Sequence, residues 1–205
     1  MGLKTTAKHK AYWQTRKVDW IEAYAKTWDH PHRQMVVDAL RPTGFKQILE
    51  LGCASGPNLI RIVKEFPGVQ VGGIDISADA IAAAKSILPP NSVLDIGTVD
   101  NCFFADKCAD VVLTDAALIY VGPEKIDKVI EEMKRVSRKH VVFVEFHEPI
   151  WWRRWMVWWK SGYFAYDYRK LLTKHGFWDI EIKRIPEEVW GYPWSTFGAV
   201  ITARI

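Results

Sequence analysis

Short apolar runs alternate with longer segments of helical periodicity along most of this chain. The runs at 48–51, 69–74, 93–96, 110–113 and 141–144 have the length and the β-branched content of buried strands. Between them, segments such as 58–66 and 126–136 repeat apolar residues at i, i+3, i+4 and i+7, which marks one face of a helix. Two more strand-like runs, 180–185 and 197–203, follow one another near the C-terminus.

This order, βαβαβ(α)βαβαββ, predicts an α/β fold. Strands that alternate with helices form a parallel sheet covered on both faces, so we expect a three-layer sandwich with a mostly parallel seven-stranded sheet. The two successive C-terminal strands predict an antiparallel hairpin at one edge. Helices are expected at 58–66, 78–88, 123–136 and 168–175.

The predicted division of the chain has three parts. Residues 46–205 form the α/β domain, and residues 1–45 form an N-terminal helical lid. Within that lid, residues 1–17 are polar and basic and are expected to be frayed or loosely packed, and 18–40 form one or two helices that break near residues 29–31. Residues 149–166 are rich in tryptophan and are expected to be a cap inserted into the domain.

Ligands of such sheets bind beyond the carboxyl ends of the strands, so the loops after residues 51, 75, 96, 113 and 144 are the candidates. The first loop, Glu50 to Asn58, contains glycines that allow a sharp turn and close approach of a ligand. A nicotinamide-dinucleotide fingerprint would need glycine at positions 52, 54 and 57, where this chain has Gly, Ala and Pro. Pro57 also lacks the N–H that a pyrophosphate would use, which argues against NAD and FAD.

The second loop places Asp75 at a strand end, 23 positions after Gly52. A carboxylate at this point can accept hydrogen bonds from both hydroxyls of a ribose. The alternative is that Asp75 only caps the following helix, but Ser77 is better suited to that role.

Several segments, in the same order and spacing, resemble the motifs of class I S-adenosylmethionine (SAM) dependent methyltransferases. Glu50-x-Gly52-x-Ala54-x-Gly56 is similar to the family's first motif; further similarities lie at 97–100, 104–106, 109–113, 114–121, 168–172 and 176–177. The resemblance implies a Rossmann-like fold and SAM as the cofactor. It implies a cofactor site formed by Glu50, Gly52, Cys53, Ala54, Gly56, Asn58, Asp75, Ile76, Thr98, Val99, Asp100 and Thr114.

Two positions depart from the family's pattern. Ala54 replaces a common glycine, which is tolerable if its φ is negative. Thr98 stands where the family often has an aspartate that accepts a hydrogen bond from the adenine amino group. Either the Thr98 hydroxyl or the Asp100 carboxylate could take over that contact.

Methyl transfer from a sulfonium is an in-line displacement, for which the protein mainly supplies proximity, alignment and, where the nucleophile carries a proton, a general base. The resemblance places Asp115 and Tyr120 near the methyl group. His147 follows the fifth strand on the correct edge of the sheet, and with Tyr120 and Asp115 it completes the predicted catalytic set. His30 is a further candidate base. The alternatives are that His147 is a surface residue and that His30 caps a helix.

Composition narrows the partners only in part. The chain has 205 residues, 49% of them apolar, a net charge of +4 and three cysteines without zinc-ligand spacing, so we expect a cytoplasmic protein without a metal site. Such a charge permits nucleic-acid binding but does not demand it. We expect a small-molecule or lipid-like acceptor; methylation of RNA or protein and a non-catalytic SAM-fold scaffold remain alternatives. The oligomeric state is left open.

The segment 151–160 has five tryptophans, which fall within an arc of roughly 120° if the segment is helical. Three interpretations remain open: a cap helix packed on the domain, an aromatic wall over the acceptor, or interfacial contact with a membrane, which the mixture of aromatic and basic residues would suit.

Overall fold

A computed structural model describes residues 4–205, and its centre is a seven-stranded sheet in the order β3-β2-β1-β4-β5-β7-β6. Strands β1 to β5 are parallel, whereas β7 runs antiparallel between β5 and β6. The predicted fold is therefore confirmed. The strands are β1 (Gln47–Leu51), β2 (Gln70–Asp75), β3 (Val93–Ile96), β4 (Ala109–Asp115), β5 (Ser137–Phe146), β6 (Trp178–Arg184) and β7 (Gly198–Arg204).

Helices cover both faces of the sheet. They are α1 (Thr6–Thr15), α2 (Trp20–Ala23), α3 (His32–Leu40), α4 (Pro57–Glu65), α5 (Ala78–Ile87), α6 (Ile126–Val136), α7 (Trp151–Ser161), α8 (Tyr168–Lys174) and α9 (Trp194–Phe197). Short 3-10 helices occupy Ala25–Asp29, Arg41–Thr43 and Leu118–Tyr120. Among residues 4–205, no helix combines the length and the apolar character that a membrane crossing requires.

Alternate residues of the central strands feed two separate cores. Ile48 of β1 and Val111 of β4 pack with α3, α4 and α5 on one face. Leu49 and Val112, their chain neighbours, pack with α6 and α8 on the other. Because successive side chains of a strand point to opposite faces, strands buried on both sides become almost continuously apolar. This arrangement leaves the carboxyl ends of β1, β2 and β4 as the place where a ligand can approach the backbone.

Three local expectations are wrong. The described part of the predicted loose segment, from residue 4, contains α1, a helix that begins after the capping side chain of Thr5 and buries His9; residues 1–3 lie outside the described residues. Helix α6 begins at Ile126 and not at Pro123, because a turn occupies the residues between them. Strand β5 extends well beyond 141–144, since β7 pairs along it as far as Phe146.

Candidate active site

The turns that follow β1, β2 and β4 surround one cavity of about 600 Å³. Residues 52–54, 75–76 and 115–117 form one part of its wall, and α1 contributes Thr6, His9, Lys10 and Trp13 to another. Ligand cavities typically measure roughly 300–1,000 Å³, so this one can hold a nucleoside-sized cofactor beside a second small molecule.

The first turn depends on glycine at position 52. Gly52 has a φ of +82°, and its N–H donates to the carbonyl of Ile74 at 2.8 Å. A Cβ at this position would lie 2.7 Å from the Cβ of Ala117, well inside contact distance. Only glycine therefore allows the turn after β1 to approach the turn after β4 so closely.

Ala54 lies in the left-handed region, with a φ of +48°. The expectation of a negative φ at this position is therefore wrong. Its backbone N–H donates to Oδ2 of Asp75 at 2.9 Å, a charge-assisted hydrogen bond that offsets part of the cost of this conformation.

Asp75 joins the first two turns. Besides the bond from Ala54, its Oδ1 accepts from the N–H of Ser77 at 2.9 Å. Ser77 itself caps α5 by accepting from the N–H of Ala80 at 3.3 Å. Each oxygen of Asp75 keeps a further lone pair, which suits a vicinal diol. Burial raises the pKa of this carboxyl in spite of the two backbone donors, and further donors would favour its ionised form.

A buried polar cluster lies beside the first turn. Asn58 donates from Nδ2 to Oε1 of Glu50 at 2.6 Å and to Oδ2 of Asp115 at 2.9 Å, and its Oδ1 accepts from Arg33 at 2.5 Å. Oε2 of Glu50 and Oδ1 of Asp115 have no hydrogen-bond partner among residues 4–205. Two buried carboxylate oxygens without donors are suited to a cationic ligand group with several N–H donors, such as an ammonium.

The two carboxyl groups of this cluster differ in protonation. Burial raises the pKa of Glu50 to about 8. Burial would also raise the pKa of Asp115, but His32 and Arg33, both in direct contact with it, hold that pKa well below its usual range. The site therefore holds a fixed carboxylate and a carboxyl group that can still respond to a ligand.

Two histidines extend the cluster from Asp115. Nε2 of His32 lies 2.9 Å from Oδ2 of Asp115, and Nδ1 of His32 lies 2.6 Å from Nδ1 of His30. Both imidazoles line the cavity, and the Trp190 ring stacks on His32 at 4.2 Å. Burial lowers the pKa of His30, with a smaller contribution from the charge of Arg33, so its neutral form dominates near pH 7.

The partners of the two histidines set their tautomers. The carboxylate of Asp115 requires a proton on Nε2 of His32, which leaves Nδ1 of a neutral His32 as an acceptor. Nδ1 of His30 also lies 3.4 Å from the backbone nitrogen of His32, the longer of its two contacts. In the tautomer that carries the proton of the 2.6 Å contact on Nδ1 of His30, Nε2 of His30 keeps a lone pair. Within the described part of the chain, no hydrogen bond ends on Nε2 of His30. This is the orientation that a general base requires.

The rest of the cavity is largely aromatic. Tyr120 makes edge contacts with Trp13 at 5.2 Å and with Tyr163 at 5.5 Å, and Trp194 stacks on Trp190 at 4.2 Å. The wall consists of Trp13, Trp20, Tyr24, Tyr120, Phe146, Tyr163, Trp190 and Trp194. Burial raises the pKa of Tyr120 far above its usual value, so its hydroxyl stays protonated and can act only as a hydrogen-bond donor or acceptor. The aromatic wall is not formed by the tryptophans of 151–160.

Thr98, Val99 and Asp100 line the cavity at the end of β3. Thr98 forms a backbone bridge with Asn101, and Oδ2 of Asp100 accepts from Lys125 at 2.7 Å. Lys125 therefore neutralises part of the charge of Asp100. Thr98 and Asp100 both remain in the cavity wall.

Ten of the twelve predicted cofactor residues line the cavity. Gly56 and Thr114 do not. Gly56 directly precedes α4 and has a φ of +78°, and a Cβ at this position would lie 2.8 Å from Leu88. Thr114 is fully buried within β4. Of the predicted catalytic set, Asp115 and Tyr120 line the cavity together.

His147 lies away from them. Its Nδ1 accepts from the N–H of Tyr168 at 3.2 Å, and it borders a separate shallow depression with Asp167 and Arg169. The structure thus does not bring His147 to the cavity.

His32 and Arg33 were not among the predicted site residues. Both belong to the first turn of α3, and both contact Asp115 across more than 80 positions of sequence. The available signal was the run His30-Pro31-His32-Arg33 at a predicted helix start, where two imidazoles and a guanidinium are close in sequence.

Comparison with known proteins agrees with this arrangement. Residues 48–140 match the family model described as a methyltransferase domain. No curated protein matches the sequence significantly. The matched residues include the turns at Gly52, Asp75 and Asp115.

Three solved structures share the fold at low identity. Magnesium protoporphyrin IX methyltransferase from Synechocystis, solved with bound SAM, is 14% identical with a TM-score of 0.67, covering 99% of this chain and 98% of that one. Human N-acetylserotonin methyltransferase in complex with SAM is 16% identical with a TM-score of 0.67, covering 98% of this chain and 56% of that one. A SAM-dependent methyltransferase from Methanosarcina mazei is 20% identical with a TM-score of 0.62, covering 82% and 96%.

Proposed function

We propose that this chain, whose residues 48–140 match the model of a methyltransferase domain, is a SAM-dependent methyltransferase that acts on a small, largely aromatic or apolar acceptor whose nucleophile carries a proton. The observation that carries this proposal is the continuity of the cavity: the turns at Gly52 and Asp75 and the aromatic wall with His30 border the same space.

The residues present fit SAM. Bound SAM supplies an electrophilic methyl group and a neutral thioether as leaving group. Asp75 would accept from the ribose hydroxyls, and the free oxygens of Glu50 and Asp115 would accept from the ammonium group. Thr98 and Asp100 border the region proposed for adenine.

His30 is the proposed general base. An acceptor nucleophile that carries a proton loses it on methylation, and the lone pair on Nε2 of His30 would take that proton. The proton on Nδ1 of His30 can then pass to Nδ1 of His32, 2.6 Å away. The positive charge thereby ends beside the carboxylate of Asp115, which stabilises it. His32 and Asp115 are positioning residues in this scheme.

The aromatic wall favours a small acceptor over RNA or protein. Flat rings can stack on Trp190 and Trp194, whereas α1 covers part of the cavity with Trp13 and Lys10 and restricts the entry of a macromolecule. Tyr120, which keeps its proton, would donate a hydrogen bond or pack against the acceptor.

A reducing compartment, the cytoplasm, suits the three cysteines. Cys53 and Cys102 are buried free thiols, Cys108 is half-buried, and none of them is paired in the described chain.

The first test is cofactor binding. SAM at 100 times its Kd should stabilise the protein by about 2.7 kcal/mol, which a thermal-shift measurement detects. Asp75→Ala should abolish this stabilisation, because it removes the acceptor that joins both turns. Asp79→Ala is the matched control, since Asp79 is exposed on α5 in an ion pair with Lys17. If millimolar SAM gave no stabilisation of the wild type, the enzyme proposal would be wrong.

The second test identifies the acceptor. Cell extract, enzyme and methyl-labelled SAM are incubated together, and the label is followed into small molecules, RNA and protein. We expect it in aromatic or apolar metabolites with a hydroxyl or amine. Label confined to RNA or protein would contradict the proposed acceptor class, although SAM binding would stand.

A further inference from the structure

Helix α7 turns its aromatic face away from the domain. Trp151, Trp152, Trp155 and Trp159 are 72%, 50%, 56% and 55% exposed, and the rings of Trp155 and Trp159 stack on each other at 6.1 Å. At 100° per residue these four side chains share an arc of about 100° on one side of the helix. A continuous exposed apolar patch of this kind marks a surface that contacts another protein or a membrane.

The opposite face of α7 is polar where it meets the domain. Arg153 pairs with the buried carboxylate of Glu148 at 3.1 Å, and Arg154 donates to the carbonyls of Glu148 and Pro149 at 3.0 and 2.7 Å. Val157 is the one buried residue of the helix. The polarity is thus reversed relative to an ordinary surface helix, whose apolar face packs on the core.

We propose that α7 is a membrane-contacting helix, which lies in the interfacial layer of an anionic lipid bilayer. Tryptophan is the residue enriched at the boundary between lipid headgroups and acyl chains. Arg153 is paired with Glu148, but Arg154 and Lys160 flank the aromatic arc and residues 149–165 contain no acidic residue, so the remaining charge complements anionic headgroups. Eleven residues extend about 16 Å, which matches a helix lying in the interface and is too short to cross about 30 Å of hydrocarbon.

The charge of α7 argues against a second copy of the chain as the occupant. In a two-fold contact the same patch appears on both sides, so Arg154 and Lys160, which flank the patch, would come close to their own copies. A bilayer with anionic lipids meets the same patch with opposite charge.

Membrane contact at α7 would lie close to the cavity. Lys4 donates to the carbonyl of Trp159 at 2.7 Å, and the indole N–H of Trp158 donates to the carbonyl of Lys4 at 3.1 Å. Further along, His9 of α1 contacts the carbonyl of Gly162, directly after α7, at 3.0 Å. Since His9 and Trp13 line the cavity, α1 lies between the proposed lipid surface and the acceptor site.

Vesicle flotation with the full chain tests the proposal. Vesicles of phosphatidylcholine alone are compared with vesicles in which one quarter of the lipid is phosphatidylglycerol. The wild type should float with the anionic vesicles, with a blue shift of tryptophan emission and weaker binding at high salt. The double variant Trp155→Ser/Trp159→Ser should bind at least about tenfold more weakly.

The matched control is Trp178→Ser. Trp178 is 55% exposed, like the two test residues, but lies on the edge strand β6. The Trp178→Ser variant should bind vesicles as the wild type does. All variants should keep the melting temperature of the wild type.

Three results would overturn the proposal: no flotation of the wild type with anionic vesicles, equal flotation of the double variant, or a lipid-independent dimer that the double variant abolishes. The readout is lipid binding, so failure of methyl transfer would leave this test intact.

Discussion

Replacement of His30 tests the proposed chemistry most directly. His30→Gln keeps a side chain of similar size but removes the lone pair on Nε2 that would take the acceptor's proton. A positioned general base contributes about 10²–10⁴-fold to rate, which corresponds to roughly 2.7–5.4 kcal/mol of transition-state stabilisation. We therefore expect kcat with a hydroxyl or amine acceptor to fall by that factor. The Kd for SAM should stay within about twofold, since His30 contacts neither the Gly52 turn nor Asp75.

The pH profile gives the second readout. In the proposed scheme transfer requires neutral His30, and burial together with the charge of Arg33 lowers the pKa of that histidine. In the wild type, kcat/KM should thus rise with pH along an acid limb below pH 6.5 and level off above it. Because His30 and His32 share a proton, the limb reports the pair and not one residue. His30→Gln should remove it.

Controls separate chemistry from folding. His140→Gln changes a half-buried histidine near the start of β5, at the other end of the sheet from the cavity, and should retain wild-type activity. An acceptor whose nucleophile is already ionised should be methylated equally by wild type and His30→Gln. The reasoning would be refuted if His30→Gln kept more than about one tenth of kcat together with an unchanged acid limb.

Three further predictions concern the turns and the buried carboxyl. Gly52→Ala should abolish SAM binding, because the new Cβ would lie 2.7 Å from Ala117. It should also lower the free energy of unfolding by more than the roughly 1–2 kcal/mol that an L-residue costs in the left-handed region. Gly44→Ala, also at positive φ but with open space around it, should lower the free energy of unfolding by only that cost and leave SAM binding, measured by calorimetry, intact. Ala54→Gly should raise the free energy of unfolding by about 1 kcal/mol in urea titration, since it relieves a φ of +48°. Glu50 has a pKa of about 8 before SAM binds and should release a proton in order to pair with the ammonium group, so SAM affinity should rise with pH up to about 8. Glu50→Gln should flatten this pH dependence. Calorimetry in buffers of different ionisation enthalpy measures the number of protons released.

The half of the cavity proposed for the cofactor could be predicted from sequence because local rules determine its turns. A strand end, a glycine turn and a helix start follow one another directly, so residues 50–58 lie close together in space. Parallel strands bring Asp75 to the same edge of the sheet. A wrong detail there, the φ of Ala54, depends on its hydrogen bond to Asp75, which connects two turns and cannot be inferred from the sequence of either turn.

The half proposed for the acceptor could not be predicted in this way. His32 and Arg33 reach Asp115 only because α3 packs on the sheet through Val36 and Leu40. The distance of His147 from the cavity could not be predicted from its position in the sequence either. His147 follows β5 on the correct edge of the sheet, but β5 lies two strands from β1, and the backbone N–H of His147 donates to the carbonyl of Phe197.

The tryptophans of 151–160 illustrate a different limit. Helical periodicity places their side chains on one arc, but it does not say which side of the helix faces the domain. The buried carboxylate of Glu148 decides this, because it draws Arg153 inward and so turns Trp155 and Trp159 outward.

The two halves of the cavity thus differ in how they can change. The turns proposed to bind the cofactor are fixed by backbone conformation, so substitution at Gly52 or Asp75 should remove a function that every reaction of the enzyme needs. The half proposed for the acceptor is built from side chains of α1, α3 and the segment 190–194, which contact the sheet mainly through packing. Substitutions at Trp13 or Trp190 can alter the shape of the acceptor space without altering the cofactor turns. Acceptor specificity in this fold therefore has to be determined from these side chains and cannot be derived from the cofactor motifs.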